Sequence, residues 1–167
     1  TIIAPMGLAL EKEEVNEYYR ILALTIEKMI ENFDCDVYIF RQVSGPTEVE
    51  NDGLANLIVG NKVGGAYQEK LHIINQTYTP RRLMALYQQM DLFVASRLHS
   101  GIFALNKHVP TVFVGYLSKT MGVLESLGFE QWGIDISEIT TEKFWYIINR
   151  AWEQRSVIQS HLKKYMP

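Results

Sequence analysis

The run Asp91–Lys119, DLFVASRLHSGIFALNKHVPTVFVGYLSK, decides the fold. Its apolar residues Leu92, Phe93, Val94 and Ala95 end at Ser96 and hand over directly to Arg97-Leu98-His99. A second apolar segment follows, and Val109-Pro110 returns the chain to a third, Thr111 to Val114. That succession reads as strand, helix, strand. Short continuous apolar runs suit parallel strands covered on both faces, and a parallel partner requires a crossover, usually a helix. An arginine and a histidine therefore stand at the carboxyl end of a strand, where the next helix begins. Open α/β sheets bind ligands there.

Upstream, Thr1 to Ala4 is apolar and β-branched until Pro5 and Gly7 break it, which predicts a first strand. From Glu11 to Phe33, Val15, Tyr18, Tyr19, Leu22, Ile26, Met29, Ile30 and Phe33 recur three and four apart behind an acidic first turn, the pattern of a helix. Val37 to Phe40 and Leu71 to Ile74 are the next strands, with a short helix over Asn51 to Gly60 and Gly64-Gly65 ending it. Thr79-Pro80 starts a helix running to Met90, the threonine as cap and the proline in the first turn, where its missing N–H costs nothing. Downstream, Ser118 can cap a helix from Lys119 to Leu127 stopped by Gly128. Trp132 to Ile136 is a sixth extended piece, and one long helix runs from Thr141 to about Tyr165.

Six strands alternating with five or six helices predict one α/β domain over residues 1–167, three layers around a doubly wound parallel sheet. In the common strand order 3-2-1-4-5-6 the crevice opens between the first and fourth strands. Pro5-Met6-Gly7 then faces Arg97-Leu98-His99.

Composition narrows the partners. A 167-residue chain with 47% apolar residues can build a core, and a net charge of −3, from 16 basic and 19 acidic residues, offers no field for a polyanion. Nucleic acid is excluded as a partner on that ground. The single Cys35 rules out an internal disulfide and a cysteine zinc cluster, and His72, His108 and His161 lack the paired spacing of metal ligands. No apolar stretch approaches the ~20 residues needed to cross a bilayer. The expected setting is the cytoplasm, with association at the inner face of the membrane left open. Because Thr1 opens directly in a strand-like run, the chain reads as part of a longer protein whose N-terminal domain is missing.

At the central turn, the first N–H groups of the helix lack intrahelical partners and carry partial positive charge, so Ser100, Gly101 and Ile102 can present them to an anion. Arg97 adds a planar fork suited to carboxylate or phosphate, and His99 can donate a hydrogen bond or transfer a proton. Gly101 permits close backbone approach. The same residues have plain structural roles: Arg97 can pair with Asp91 or bond loop carbonyls, and His99 can cap a helix. Lys119, a cation at the positive end of a helix, is either solvated or reaches into the same crevice. The aromatic spacing Phe144, Ile147, Ile148, Ala151, Trp152 is that of a core face.

The succession Asp91-Leu92-Phe93-Val94, Arg97-Leu98-His99, Ile102-Phe103-Ala104-Leu105, Val109-Pro110, Tyr116, Lys119, Gly122 and Leu127-Gly128 resembles the polysaccharide pyruvyl transferase family. Members commonly carry a small residue or glycine before the Val-Pro pair, where this chain has Lys107-His108. The resemblance implies a GT-B-like enzyme of two Rossmann-like halves that moves pyruvate from phosphoenolpyruvate onto a sugar of a surface polysaccharide or its precursor as a ketal. This chain would be the C-terminal, donor-binding half, and its activity alone is not implied. Catalytic roles fall to His99 and Arg97, and donor contacts to Arg97, Leu98, His99, Ser100, Gly101, Tyr116 and Lys119, with Gly7 from the opposing loop. Phosphoenolpyruvate is the donor substrate, a carbohydrate the acceptor, and no cofactor or metal is expected. Two other readings stay open: the C-terminal domain of a nucleotide-sugar glycosyltransferase, which would usually carry acidic residues where Arg97 to Leu105 has none, and a non-catalytic α/β binding module.

Overall fold

The structure is a computed structural model that describes residues 12–45, 51–115, 118–126 and 128–165. The chain divides into two compact units, residues 1–77 and 78–167. Each has its own parallel sheet.

In the first unit, helix α1 (Lys12–Phe33) opens with Glu13 and Glu14, whose charges suit the positive helix end, and buries Tyr18, Tyr19, Ile21, Leu22, Ile26 and Ile30 along one face. Strand β1 (Val37–Phe40) pairs in parallel with β2 (Leu71–Ile74), from Val37 opposite Leu71 to Phe40 opposite Ile74. The crossover carries α2 (Asp52–Lys62), started by Asn51, whose side chain accepts from the Gly53 N–H at 2.9 Å. Helix α2 lies close on β2: a Cβ at Gly60 would come within 2.4 Å of Ile73 Cδ1.

In the second unit, Thr79 caps α3 (Pro80–Tyr87), its hydroxyl accepting from the Arg82 N–H at 3.4 Å with Pro80 in the first turn. Then follow β3 (Phe93–Ala95), α4 (Leu98–Leu105), β4 (Thr111–Gly115), α5 (Ser118–Ser126), β5 (Gly133–Asp135), α6 (Thr141–Glu153) and α7 (Arg155–Tyr165). The sheet order is β3-β4-β5, all parallel, with Val94 opposite Val112 and Val114 opposite Ile134. Every residue of the middle strand β4 is buried, which is why Thr111–Val114 reads as an unbroken apolar run after its threonine. Thr111 is satisfied there by donating its hydroxyl to the Val109 carbonyl at 2.9 Å. The return from α4 to β4 turns on His108, at φ 59. That left-handed conformation suits glycine best, which gives the Lys107-His108 departure a backbone meaning.

The α/β class with parallel strands stands, and three expectations need correction. Five strands are described instead of six, in two sheets instead of one. The first expected strand, Thr1 to Ala4, lies outside the described residues together with Pro5-Met6-Gly7. The pairings described, β1 with β2 and β3-β4-β5, are those the order 3-2-1-4-5-6 gives within each unit. The helix begun at Pro80 stops at Tyr87, short of Met90. The last expected helix is two, broken at Gln154, where Arg155 Nη1 donates to the Trp152 carbonyl at 2.8 Å and so satisfies an acceptor at the end of α6. The buried residues Phe144, Ile148 and Ala151 and then Ile158 and Leu162 keep helical spacing across the break, so the pattern does not mark it.

Two predictions follow from close packing. At Gly101, a Cβ would meet the Phe113 ring at 2.0 Å (Cε1) and 2.5 Å (Cζ), whereas exposed Gly122 in α5 has nothing within 4 Å. Urea unfolding should show Gly101→Ala destabilised by about 2–3 kcal/mol through overpacking and Gly122→Ala stabilised by about 0.5–1 kcal/mol through helix propensity.

Burial, and after it the Asp52 carboxylate, pushes the Tyr19 phenol up to about 12 from its ordinary 10.0. The folded state thus holds this proton more tightly than the unfolded chain. Its stabilisation is full below pH 10, the ordinary value, and is lost as pH rises through about 12. Stability should fall by about 2–3 kcal/mol across that alkaline window, and Tyr19→Phe should flatten the fall.

Candidate functional site

The turn after β3 is built from buried small residues and a half-exposed polar edge. Ala95 and Ser96 are buried at the strand end, Arg97 and Leu98 are half-buried, and His99 is exposed. Arg97 is the N-cap of α4: its backbone is extended (φ −116, ψ 126) and its side chain makes no capping bond. The main chain thus places the arginine at the carboxyl end of the strand.

The Arg97 carbonyl takes two donors, the Gly101 N–H at 3.2 Å and the Ser100 hydroxyl at 2.7 Å. The intrahelical ladder thus begins at Gly101, and the N–H groups that precede it are those of Leu98, His99 and Ser100. Of the Ser100, Gly101 and Ile102 N–H groups, that of Gly101 is thus taken up within the helix.

Ser100 and Gly101 are both buried, the first with its hydroxyl directed to the Arg97 carbonyl and the second with its Cα against Phe113 of β4. The structure gives them the work of seating α4. Arg97, Leu98 and His99 are brought together at the helix start. Lys119 lies in the first turn of α5, and Gly7 and Tyr116 lie outside the described residues. No acidic residue occurs between Arg97 and Leu105, so the turn offers cations and N–H dipoles and no carboxylate. It can hold an anion and present an imidazole beside it.

A polar hollow of about 270 Å³ in the same unit is lined by Gln88, Met90, Asp91, Pro110, Arg155 and Gln159. Asp91 and Pro110 precede β3 and β4, which places it at the amino ends of the strands, the end away from Arg97. Among the described residues no three His, Cys, Asp or Glu side chains gather as a metal site requires.

The first unit holds a polar cluster that the sequence pattern did not single out. Asp52 and Asn56 on α2 are fully buried. Asp52 Oδ2 accepts from the N–H groups of Val43 at 2.9 Å and Gln42 at 3.3 Å, fixing the chain that leaves β1. Arg41, directly after β1, donates from Nη1 to the carbonyl of Asn75, directly after β2, at 3.1 Å. The available signal was the spacing Gly53, Asn56, Gly60: small and polar residues in the buried phase of a helix whose Leu54 and Leu57 face outward.

The structure is similar to that of the glycotransferase of kitacinnamycin, with a TM-score of 0.51 and 17% identity over 89% of this chain and 36% of that one, a likeness of fold. Amylovoran biosynthesis protein AmsJ of Erwinia amylovora is 25% identical over 89 residues, covering 53% of this chain and 21% of AmsJ. The chain thus spans about a fifth of that relative's length. The family model for polysaccharide pyruvyl transferase matches residues 6–118, about two thirds of the sequence and inclusive of the Arg97-Leu98-His99 turn. The chain belongs to the polysaccharide pyruvyl transferase family.

Proposed function

We propose that the chain is the donor-binding half of an enzyme that transfers pyruvate from phosphoenolpyruvate to a saccharide, forming a ketal during polysaccharide synthesis. The observation that carries the reading is the turn itself: a guanidinium at the N-cap of α4, an exposed imidazole two residues on, and helix N–H groups between them, all at the carboxyl end of β3. Family membership supports it, as does the role of AmsJ in amylovoran biosynthesis.

The chemistry asks for these groups. Making a ketal from an enol phosphate begins with protonation of the methylene carbon, which leaves an oxocarbenium-like centre. A sugar hydroxyl attacks it, phosphate departs, and a second hydroxyl closes the ring. An acid must stand close to a donor that carries two anionic groups. Arg97 and the N–H groups of Leu98 and His99 hold one of those groups, and the His99 imidazole contacts the phosphate or delivers the proton. Burying the wall behind them with Ser100, Gly101 and Phe113 keeps the donors fixed before the substrate arrives, so no reorganisation is needed as charge develops. A nucleotide-sugar donor would call for carboxylates to hold sugar and ribose hydroxyls, which this turn lacks.

Calorimetric titration of the chain with phosphoenolpyruvate is the direct test. Binding should be saturable, and Arg97→Ala and His99→Ala should each weaken it at least about tenfold, the loss expected for one charge-assisted contact. Because Arg97 and His99 are half-buried and exposed, both variants should keep the parent's melting temperature within a few degrees. Binding unchanged in both variants would sink the assignment.

A further inference from the structure

We propose that the polar hollow between the end of α3 and the start of α7 binds a small zwitterion, an α-amino acid held by both its ammonium and its carboxylate group. The inference stands apart from the pyruvyl-transfer reading. Its geometry lies wholly within the second unit, at the opposite end of β3 from Arg97.

The two walls of the hollow carry opposite charge. On one side α3 ends at Tyr87, and Gln88, Gln89 and the Asp91 carboxylate follow it into the lining. The closing end of a helix carries partial negative charge, so Asp91 adds to a field that already favours a cation. On the other side stand Arg155 and Ser156, the first residues of α7, with Gln159 one turn on. The opening end of a helix carries partial positive charge, and the guanidinium adds to it. About 270 Å³ of open space thus lies between a negative and a positive wall.

Opposite charges in one hollow would ordinarily satisfy each other, and here they do not. Asp91 forms no hydrogen bond or ion pair among the described residues. Arg155 is held to its own wall: Nη1 donates to the Trp152 carbonyl at 2.8 Å, and the guanidinium carbon lies 4.2 Å from the centre of the Trp152 ring. Gln159 is oriented as well. Its Oε1 accepts from Lys163 Nζ at 3.3 Å, and because lysine only donates, the amide N–H groups are left for a ligand. One wall therefore offers donors from Arg155, Gln159 and the Ser156 hydroxyl. The other offers a carboxylate flanked by the exposed amides of Gln88 and Gln89.

A ligand with a single sign of charge suits only half of this arrangement. A phosphate or simple carboxylate would face Asp91 and the negative end of α3, and an amine would face Arg155 and the positive end of α7. A neutral polyol would use neither charge. A zwitterion pairs with both, its carboxylate at the start of α7 and its ammonium at Asp91. The amides and the hydroxyl that make up most of the remaining lining favour a short polar side chain.

Binding is read from ¹H–¹⁵N spectra of the chain at the Arg155 Nε–H, the Gln159 side-chain amide and the Asp91 and Ser156 main-chain signals. L-serine and L-glutamine at neutral pH should shift them saturably with Kd of about 1–10 mM, the range of two exposed charge-assisted contacts. Ethanolamine, which is serine without its carboxylate, and 3-hydroxypropionate, which is serine without its ammonium group, should each bind at least about tenfold more weakly. Asp91→Asn, at an exposed residue without a partner, should weaken L-serine by a similar factor and leave the melting temperature of the chain in place. No saturable shift with either amino acid up to about 100 mM overturns the proposal, as does equal binding of L-serine and its two single-charge analogues. A shift of these signals by phosphoenolpyruvate also overturns it, in favour of a plain anion site.

Discussion

The contact between Gly101 and the ring of Phe113 is the constraint on which the candidate site depends. Any side chain at position 101 would overlap that ring, so this close approach of α4 to β4 needs glycine there. The approach sets where the helix starts. Its first intrahelical bond runs from Gly101 back to Arg97, and the Ser100 hydroxyl secures the same carbonyl. With the main chain of Arg97 held in this way, the guanidinium and the imidazole two residues later are placed by packing beneath them. Beneath α4 lies a fully buried strand.

Much of this was legible in the sequence because local rules carried it. Thr79-Pro80 and Asn51 start helices where capping chemistry says they should, and the short apolar runs over Val37–Phe40, Leu71–Ile74 and Thr111–Val114 are parallel strands. The strand-to-helix turn at Arg97-Leu98-His99 also stands where the pattern put it. The break at Gln154 was hidden because apolar residues keep their spacing across it, and the bond from Arg155 to the Trp152 carbonyl that closes α6 has no sequence signature. Gly101 stands out in the sequence for close backbone approach, and the structure sets the Phe113 ring against it.

The polar cluster on α2 escapes a pattern reading for a different reason. Pattern reading sends asparagine and aspartate to the surface and leucine to the core, and here Asp52 and Asn56 are buried while Leu54 and Leu57 are not. Asp52 earns its burial by holding two backbone N–H groups after β1. Long-range partners such as Asn75 decide such cases, and no local window contains them. The same buried carboxylate also reaches α1, where it adds to the effect of burial on Tyr19. In the first unit buried polar side chains thus hold the main chain that leaves β1.

The central claim, that the α4 start is a donor site, is tested most directly by mapping where phosphoenolpyruvate binds. Amide chemical-shift changes on adding the donor should be largest at Leu98, His99 and Ser100, accompanied by the Arg97 Nε–H. Changes confined to the amino ends of the strands, around Asp91 and Gln159 in the polar hollow, would contradict the account.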